Sequence, residues 1–433
     1  MRTSNRDTSK TDDQRHVLRE PNVRWLYAGQ IISQVGDGVS KVALLWFVYA
    51  LTGSALKMTL IGVLQTLPPL LFGPFVGIVV DRVSKRTLMI VLDGARTVLL
   101  ASIPALYAWD LLNMPGLYTL VFAVAMFSVA FGPALSATLP LMVEEKQLTR
   151  INALMQSALT IGQLLGPALS GMLIAAIGAQ NALYVNAAGF FLSALCKLPL
   201  RLPPAPPSRR GGRPVAQVLD DLREGVSFIF VRRRLLFLLM IIASVFSLGE
   251  TSFVALLPLI ADRLLHVGPT TLGWLWSSLG VGIFASTLWL FWTKQPEVCV
   301  RLRLIAGAAA IGGVAVLALP RSGSAGLAGV LIAAVGAGSG LITPLISASL
   351  QERTARNLLG RVFGVFNTGT MAFAMTGMTL SGWLADGFGA AAALAAIGSI
   401  KLIAAGLSVT MIPWCRRLAS SAPARSDAKR SQS

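Results

Sequence analysis

Long apolar segments, separated by short charged ones, dominate this sequence, and twelve of them are about as long as a bilayer is thick. A helix needs about 20 apolar residues to cross the ~30 Å of hydrocarbon in a bilayer. Membrane-spanning strands would be about half as long and would alternate apolar with polar residues. Charged residues make up 13% of the chain, about half the share in an ordinary soluble domain. The sequence therefore predicts an all-α membrane protein and argues against a soluble enzyme.

The twelve predicted spans form two groups of six. The first group covers 25–51, 58–80, 87–109, 116–143, 151–177 and 182–199, and the second covers 235–260, 271–292, 302–319, 325–350, 362–385 and 390–414. The chain thus divides into an N-terminal tail (1–24), a first six-helix bundle (25–199), a linker (200–234), a second bundle (235–414) and a C-terminal tail (415–433). The linker is rich in Pro, Gly and Arg, and its 215–234 part predicts a short amphipathic helix. The composition of the C-terminal tail is typical of disorder.

The distribution of Lys and Arg predicts how the chain is oriented. Thirty-one of the 37 basic residues lie in or beside the segments that share a side with the N terminus, and three lie in the alternate loops. Cytoplasmic loops of membrane proteins carry such an excess. We therefore expect both termini on the cytoplasmic side of an inner membrane. The same rule accounts for the net charge of +18 without a nucleic-acid partner.

An internal repeat relates the two groups of spans. A shift of 211 residues aligns 133–179 with 344–390 without a gap, and 13 of the 47 positions are identical. The identities include Gly166 with Gly377 and Gly171 with Gly382. In the first helix of each group, Asp37 corresponds to Glu250. Two parallel six-helix halves, each with an acidic residue in its first helix, form a layout typical of transporters.

The loop after the second span resembles the G-x-x-x-D-R-x-G-R-[RK] signature of the major facilitator superfamily, with Ser84 in place of the second glycine. Its matching residues are Gly77, Asp81, Arg82, Lys85 and Arg86. A carboxylate at the end of one helix is attracted to the positive N-terminus of another. The resemblance implies the major facilitator fold of two pseudo-symmetric six-helix halves, in which this loop latches the cytoplasmic gate shut. The alternative is a plain positively charged loop.

The fifth span contains a second motif. It is similar to the superfamily's G-x-x-x-G-P-x-x-G-G pattern, which is associated with antiporters, and its residues here are Gly162, Gly166, Pro167 and Gly171. Small residues four apart allow close contact between helices, and proline bends a helix. An antiporter element and ordinary helix packing remain equal alternatives.

The first span places four polar residues in the middle of the membrane. Gln30, Gln34, Asp37 and Lys41 follow one another at spacings of 4, 3 and 4, which puts them on one helical face. Charged residues at this depth usually face a polar cavity. We expect Asp37 to be a protonatable carboxylate and Gln34 and Lys41 to shape a pocket. The alternative is a static ion pair between Asp37 and Lys41.

Four further charged residues lie within spans. Glu250, with Ser247 one turn earlier, is the second candidate for proton or substrate binding, because no basic residue lies near it in its own span. Asp93 and Arg96 are three residues apart and predict a local ion pair. Lys401 is unpaired in its own helix, and it can either snorkel or meet a carboxylate across the bundle.

Several features typical of other protein classes are missing from the sequence. There is no P-loop motif and no cysteine or histidine spacing typical of a metal site. We therefore expect no ATP, no metal and no cofactor other than the proton gradient, and we expect a monomer that binds a small molecule and lipid.

The segment from Asn22 to Gly62 resembles sequences in the branch of the superfamily that includes macrolide-efflux and siderophore-export permeases. Its matching positions are Gln30, Ser33, Gly36, Asp37, Thr52, Gly53 and Ser54. The resemblance implies a secondary transporter that exports a small amphipathic molecule by proton antiport. One alternative is an exporter dedicated to a siderophore or another secreted metabolite. A second is a receptor-like or lipid-handling protein on the same fold.

Overall fold

The computed structural model describes residues 20–202, 234–293, 296–354 and 358–420, and these ranges form thirteen α-helices and no strand. The first seven helices are α1 (Pro21–Thr52), α2 (Ala55–Arg82), α3 (Lys85–Ala108), α4 (Met114–Val129), α5 (Phe131–Thr138), α6 (Leu148–Ile177) and α7 (Ala179–Lys197). The others are α8 (Arg234–Leu259), α9 (Pro269–Trp292), α10 (Val298–Ala318), α11 (Ala325–Arg353), α12 (Leu359–Phe388) and α13 (Ala390–Ser420). The amphipathic helix predicted over 215–234 lies almost wholly outside the described residues.

Ten spans in the described ranges are long and apolar enough to cross a membrane, and α4 and α5 together make one of them. The two remaining helices of the predicted twelve are α7 and α12. In α7, Gln180, Asn181 and Asn186 lower the mean hydropathy, and α12 is rich in Gly and Thr. Both helices nevertheless pack among the apolar spans.

Local signals explain where the helices begin and end. The first helix begins at Pro21, because proline is favourable in the first turn, and it ends at Gly53, which adopts a left-handed conformation (φ 62°). The fourth predicted span, 116–143, is formed by two helices, α4 and α5, rather than by one. The helix breaks at Ala130, where Pro133 has no N–H to bond to the carbonyl of residue 129.

The prediction of disorder in the tail after Trp414 was wrong for 415–420, where α13 continues to Ser420, and 421–433 lies outside the described residues. The stretch from Cys415 to Ser420 contains no glycine or proline to end the helix. The first proline after it is Pro423, which lies outside the described residues.

Helix packing follows the sequence repeat. In the first half, α1 packs on α6 and α7, and α3 packs on α7. In the second half, α8 packs on α12 and α13, and α10 packs on α13, which are the equivalent pairs. The halves meet where α6 contacts α9 and where α12 contacts α2. This arrangement leaves the first helix of each half in the centre of the bundle.

Candidate functional site: a cavity and two buried charge clusters

A cavity of about 300 Å³ lies within the first half, between α1, α2, α3, α4 and α7. Most of its wall is aliphatic, with Phe190 as its aromatic member. Its polar side chains are Asp37, Ser40, Lys41, Gln65, Ser128 and Asn186. A mainly apolar wall with a few polar groups is the usual composition of a small-molecule site.

Asp37 and Lys41 both line this cavity, but they do not pair with each other. Asn186 of α7 lies against Asp37, and its amide also donates to the Ser40 hydroxyl at 2.7 Å. Lys41 is exposed to the cavity, and its ammonium has no ion pair or hydrogen bond within the described parts of the chain. The static ion pair considered from the sequence is therefore not formed.

The structure does not bring three other predicted site residues, Gln30, Gln34 and Ser247, to the cavity wall. Gln30 is 4% exposed, and its side-chain oxygen has no partner among the described residues. The backbone carbonyl of Gln34 lies against Gly162 of α6. The Ser247 hydroxyl donates to the Thr370 carbonyl of α12 at 3.1 Å. The single polar face predicted for α1 is thus divided between the cavity and a helix contact.

Glu250 of α8 forms an ion pair with Lys401 of α13. Lys401 is 0% exposed, and its ammonium also lies 4.9 Å from the centre of the Phe246 ring. The stem of Lys401 passes Gly249, where its Cγ would be 3.2 Å from an added Cβ. This pairing decides the open question about Lys401, which meets a carboxylate and does not snorkel. Glu250 is therefore not the unpartnered carboxylate that its own helix suggested.

A second buried cluster joins α3 to α7. Asp93 binds Arg96 at 2.5 Å, which confirms the predicted local pair, and its other oxygen binds Lys197 at 2.5 Å. The Arg96 guanidinium lies 4.0 Å from the centre of the Phe190 ring, so this ring lies between the cluster and the cavity. Sequence reasoning missed Lys197, which lies in the last turn of its span. Its proximity to Asp93 could not be read without knowing that α3 packs on α7.

The glycines of the fifth-span motif are at helix contacts. A Cβ at Gly166 would lie 2.5 Å from the Cα of Gly38 in α1, and one at Gly171 would lie 2.6 Å from the Pro269 carbonyl of α9. Helix α6 continues through Pro167 without interruption. The repeat-related Gly382 makes the equivalent contact with α2, where an added Cβ would lie 2.9 Å from Leu56 Cα. These contacts favour the packing interpretation of the motif.

The signature loop between α2 and α3 binds its own half of the molecule. The Lys85 ammonium binds the carbonyls of Val80 and Val83, and the Arg86 guanidinium binds the carbonyl of Lys197, the last residue of α7, and that of Leu198, which follows it. Arg82 is exposed, and a Cβ added at Gly77 would meet no atom of the described residues within 4 Å. The side chain of Asp81 lies outside the described residues, so the predicted latch stays a prediction.

Hydrogen bonds join the two halves at the opposite end, which we call the Ser54 end. Asp386 of α12 accepts from the Ser54 hydroxyl at 2.5 Å and from the backbone N–H groups of Ala55 and Leu56 at 2.6 and 3.1 Å. A carboxylate from one half thereby caps the N-terminus of α2 in the other. Beside this cap, Tyr49 donates to Asp262 at 3.0 Å, and Arg263 donates to the Gly53 carbonyl at 3.1 Å.

Comparison with known proteins identifies the class. The model of the family described as the Major Facilitator Superfamily matches residues 26–372. The chain belongs to the Major Facilitator Superfamily. It is therefore a multi-pass membrane transporter and not an enzyme, and the predicted fold is confirmed. The equivalent helix pairs described above belong to the two halves of this superfamily member.

Two curated relatives match this superfamily member over most of its sequence. The chain is 30% identical to the multidrug efflux pump Tap of Mycobacterium tuberculosis, over 93% of this chain and 96% of that protein. It is 27% identical to macrolide efflux protein A of Streptococcus pyogenes, over 84% and 89%. Among solved structures, a nucleoside transporter NupG mutant has a TM-score of 0.71 at 12% identity, over 90% of this chain and 98% of that one. The last likeness concerns the fold alone.

Proposed function

We propose that this transporter is an efflux pump of the inner membrane, with both termini in the cytoplasm, that exports small amphipathic molecules. The observation that carries the proposal is the cavity, whose apolar wall includes both Asp37 and Lys41. The two relatives named as efflux pumps support export, and the excess of basic residues on the N-terminal side supports the orientation. The relatives also favour transport over the receptor-like and lipid-handling alternative.

In the proposed cycle, residues 25–199 rock against residues 235–414, so that the cavity faces each side of the membrane in turn. The Ser54 end would be the outer end, and its contacts would hold the outer gate shut while a molecule enters from the cytoplasmic side. Opening that end requires Asp386 to leave the N-terminus of α2. The signature loop would then form the opposite latch.

Proton entry would drive this cycle through Asp37 and Glu250, with no other cofactor. Glu250 offsets the charge of Lys401, which is fully buried. Protonation of Glu250 would leave that ammonium uncompensated, and breaking a buried pair in this way costs about 3–5 kcal/mol. Conformations in which water reaches Lys401 would then be favoured. This pair would therefore couple proton binding to the conformational change.

Accumulation of ethidium, a fluorescent cation, and of macrolide antibiotics in cells tests the proposal. Wild-type cells are expected to accumulate less than cells carrying Asp37→Asn or Glu250→Gln at equal protein level, and a protonophore should abolish the difference. Asp110→Asn is the matched control, because Asp110 is exposed in the loop after α3 and does not line the cavity. Full activity in both core variants would remove these carboxylates from the mechanism. Equal accumulation of every compound in all strains would favour the dedicated-metabolite alternative.

A further inference from the structure

We infer that Lys41 binds an acidic group of transported molecules, so that the substrates include amphipathic organic acids or zwitterions. This inference deepens the proposed function and rests on it. It begins with the location of Lys41, which lies in the cavity wall one helical turn from Asp37 and is exposed there. A lysine in the interior of a membrane bundle normally faces a counter-charge or water.

The other lysines buried within helices of the described ranges have oxygen partners. Lys401 binds Glu250, and Lys197 binds Asp93. Lys85 binds backbone carbonyls at the end of α2. The ammonium of Lys41 has no such partner in the described part of the chain. The fold therefore supplies carboxylates to Lys197 and Lys401 and carbonyls to Lys85, and leaves the cavity lysine to be neutralised by something else.

Asp37 does not provide that charge, although it lies four residues earlier on the same helix. Its carboxylate lies against Asn186, which also binds Ser40, and no contact joins it to Lys41. The backbone positions of Asp37 and Lys41 are about one helical turn apart, roughly 6 Å along the axis. A molecule that presents an acidic oxygen to Lys41 could therefore present an amine or hydroxyl to Asp37 at the same time.

The rest of the cavity selects for an apolar body. Leu100, Ile103, Val121 and Phe190 contribute to its wall, and its volume of about 300 Å³ is at the small end of the range for ligand sites. A compact aromatic or aliphatic acid fits this description. A purely cationic molecule would bring a second positive charge beside Lys41 without a compensating contact other than Asp37.

Binding of two related dyes to the purified full-length protein tests this inference. The probes are 8-anilino-1-naphthalenesulfonate, an amphipathic anion, and N-phenyl-1-naphthylamine, which has the same ring system without the sulfonate. Fluorescence titrations in one detergent, with the micelle background subtracted, compare the wild type with Lys41→Met, Lys41→Arg and Lys57→Met. Lys57 is the matched control, because its side chain is exposed at the start of α2.

The expected result is a loss of about 10-fold or more in affinity for the sulfonate dye in Lys41→Met, as for the loss of a charge-assisted contact. Lys41→Arg and Lys57→Met should keep the affinity, and the uncharged dye should bind equally to all four proteins. Size-exclusion chromatography establishes that each variant is folded, and Lys41→Gln replaces Lys41→Met if the latter aggregates. Equal sulfonate binding by wild type and Lys41→Met would overturn the inference.

These outcomes are separable from failure of the proposed function. Dye binding needs neither a proton gradient nor a membrane, so the inference survives if anion binding depends on Lys41 and efflux is absent. Efflux of cations that is unchanged in Lys41→Met, with no sulfonate binding, would leave the export function in place and remove the role of Lys41.

Discussion

At the scale of single residues, the interior charges of this bundle pair across helices as well as along them. The pair of Asp93 with Arg96 lies along one helix and could be predicted from a spacing of three. The pairs of Asp93 with Lys197 and of Glu250 with Lys401 join residues 104 and 151 positions apart. No periodicity in the sequence carries such information, because it depends on which helices are neighbours. The sequence thus indicated the pair within one helix and most of the buried charges, but it missed Lys197 and could not assign partners on other helices.

The Glu250–Lys401 pair makes a prediction about stability. Glu250→Gln or Lys401→Met alone should lower the free energy of unfolding by about 3–5 kcal/mol, since each leaves one buried charge unpaired. The double variant should recover at least half of that loss, because no uncompensated charge remains. Thermal unfolding in detergent, followed by tryptophan fluorescence, measures the stability of the wild type, the two single variants and the double variant. Losses that simply add in the double variant would show that the two groups act independently.

At the scale of helices, the repeat explains more than the motifs do. The matched glycines, Gly171 and Gly382, occupy equivalent contacts between the halves. The 211-residue shift indicated both contacts, because repeated small residues indicate repeated close approaches between helices. The boundaries were predicted less well. The break between α4 and α5 depends on Pro133, which lies inside an apolar run that otherwise suggests one helix.

The contact at Gly171 can be tested with alanine. An added Cβ would lie 2.6 Å from the Pro269 carbonyl, which is backbone and cannot rotate away. Gly171→Ala should therefore destabilise the protein by about 1–3 kcal/mol, the usual cost of overpacking. Gly307→Ala is the control, since no atom in the described part of the chain lies within 4 Å of its Cβ position and alanine favours a helix by about 1 kcal/mol. Equal unfolding midpoints for the two variants would contradict the assigned packing.

At the scale of the whole molecule, hydrogen bonds at the Ser54 end add to the helix contacts that hold the halves together. Its bonds link residues more than 200 positions apart, such as Tyr49 with Asp262 and Ser54 with Asp386. The sequence predicted a carboxylate facing a helix N-terminus, but at the other end of the bundle. The described contact of this kind is made by Asp386, which no motif distinguishes. A short polar loop contains no signal that its partner belongs to the other half.

Removing this cap should open the Ser54 end. The loss of a helix-capping carboxylate in Asp386→Ala costs about 1–2 kcal/mol, which corresponds to a rise of roughly 5–30-fold in the open population. The measurement is the rate at which a membrane-impermeant thiol reagent labels Val124→Cys, which lines the cavity, in a protein whose three native cysteines are serine. Asp110→Asn should not change this rate. An unchanged rate in Asp386→Ala would show that the cap does not control access.

The two helices of lowest hydropathy also bear on how the chain is inserted into a membrane. Each of them belongs to a hairpin with a single glycine at the turn, Gly178 between α6 and α7 and Gly389 between α12 and α13, and both glycines have positive φ (84° and 87°). A weakly apolar segment partitions poorly on its own during synthesis, whereas its apolar neighbour partitions readily. We therefore expect each hairpin to leave the translocon as one unit, with α6 and α13 carrying their weaker partners into the lipid. Biogenesis of this protein would then be a sequence of cooperative steps, and an insertion that lengthens either one-residue turn would disturb its topology before it disturbed any contact of the finished bundle.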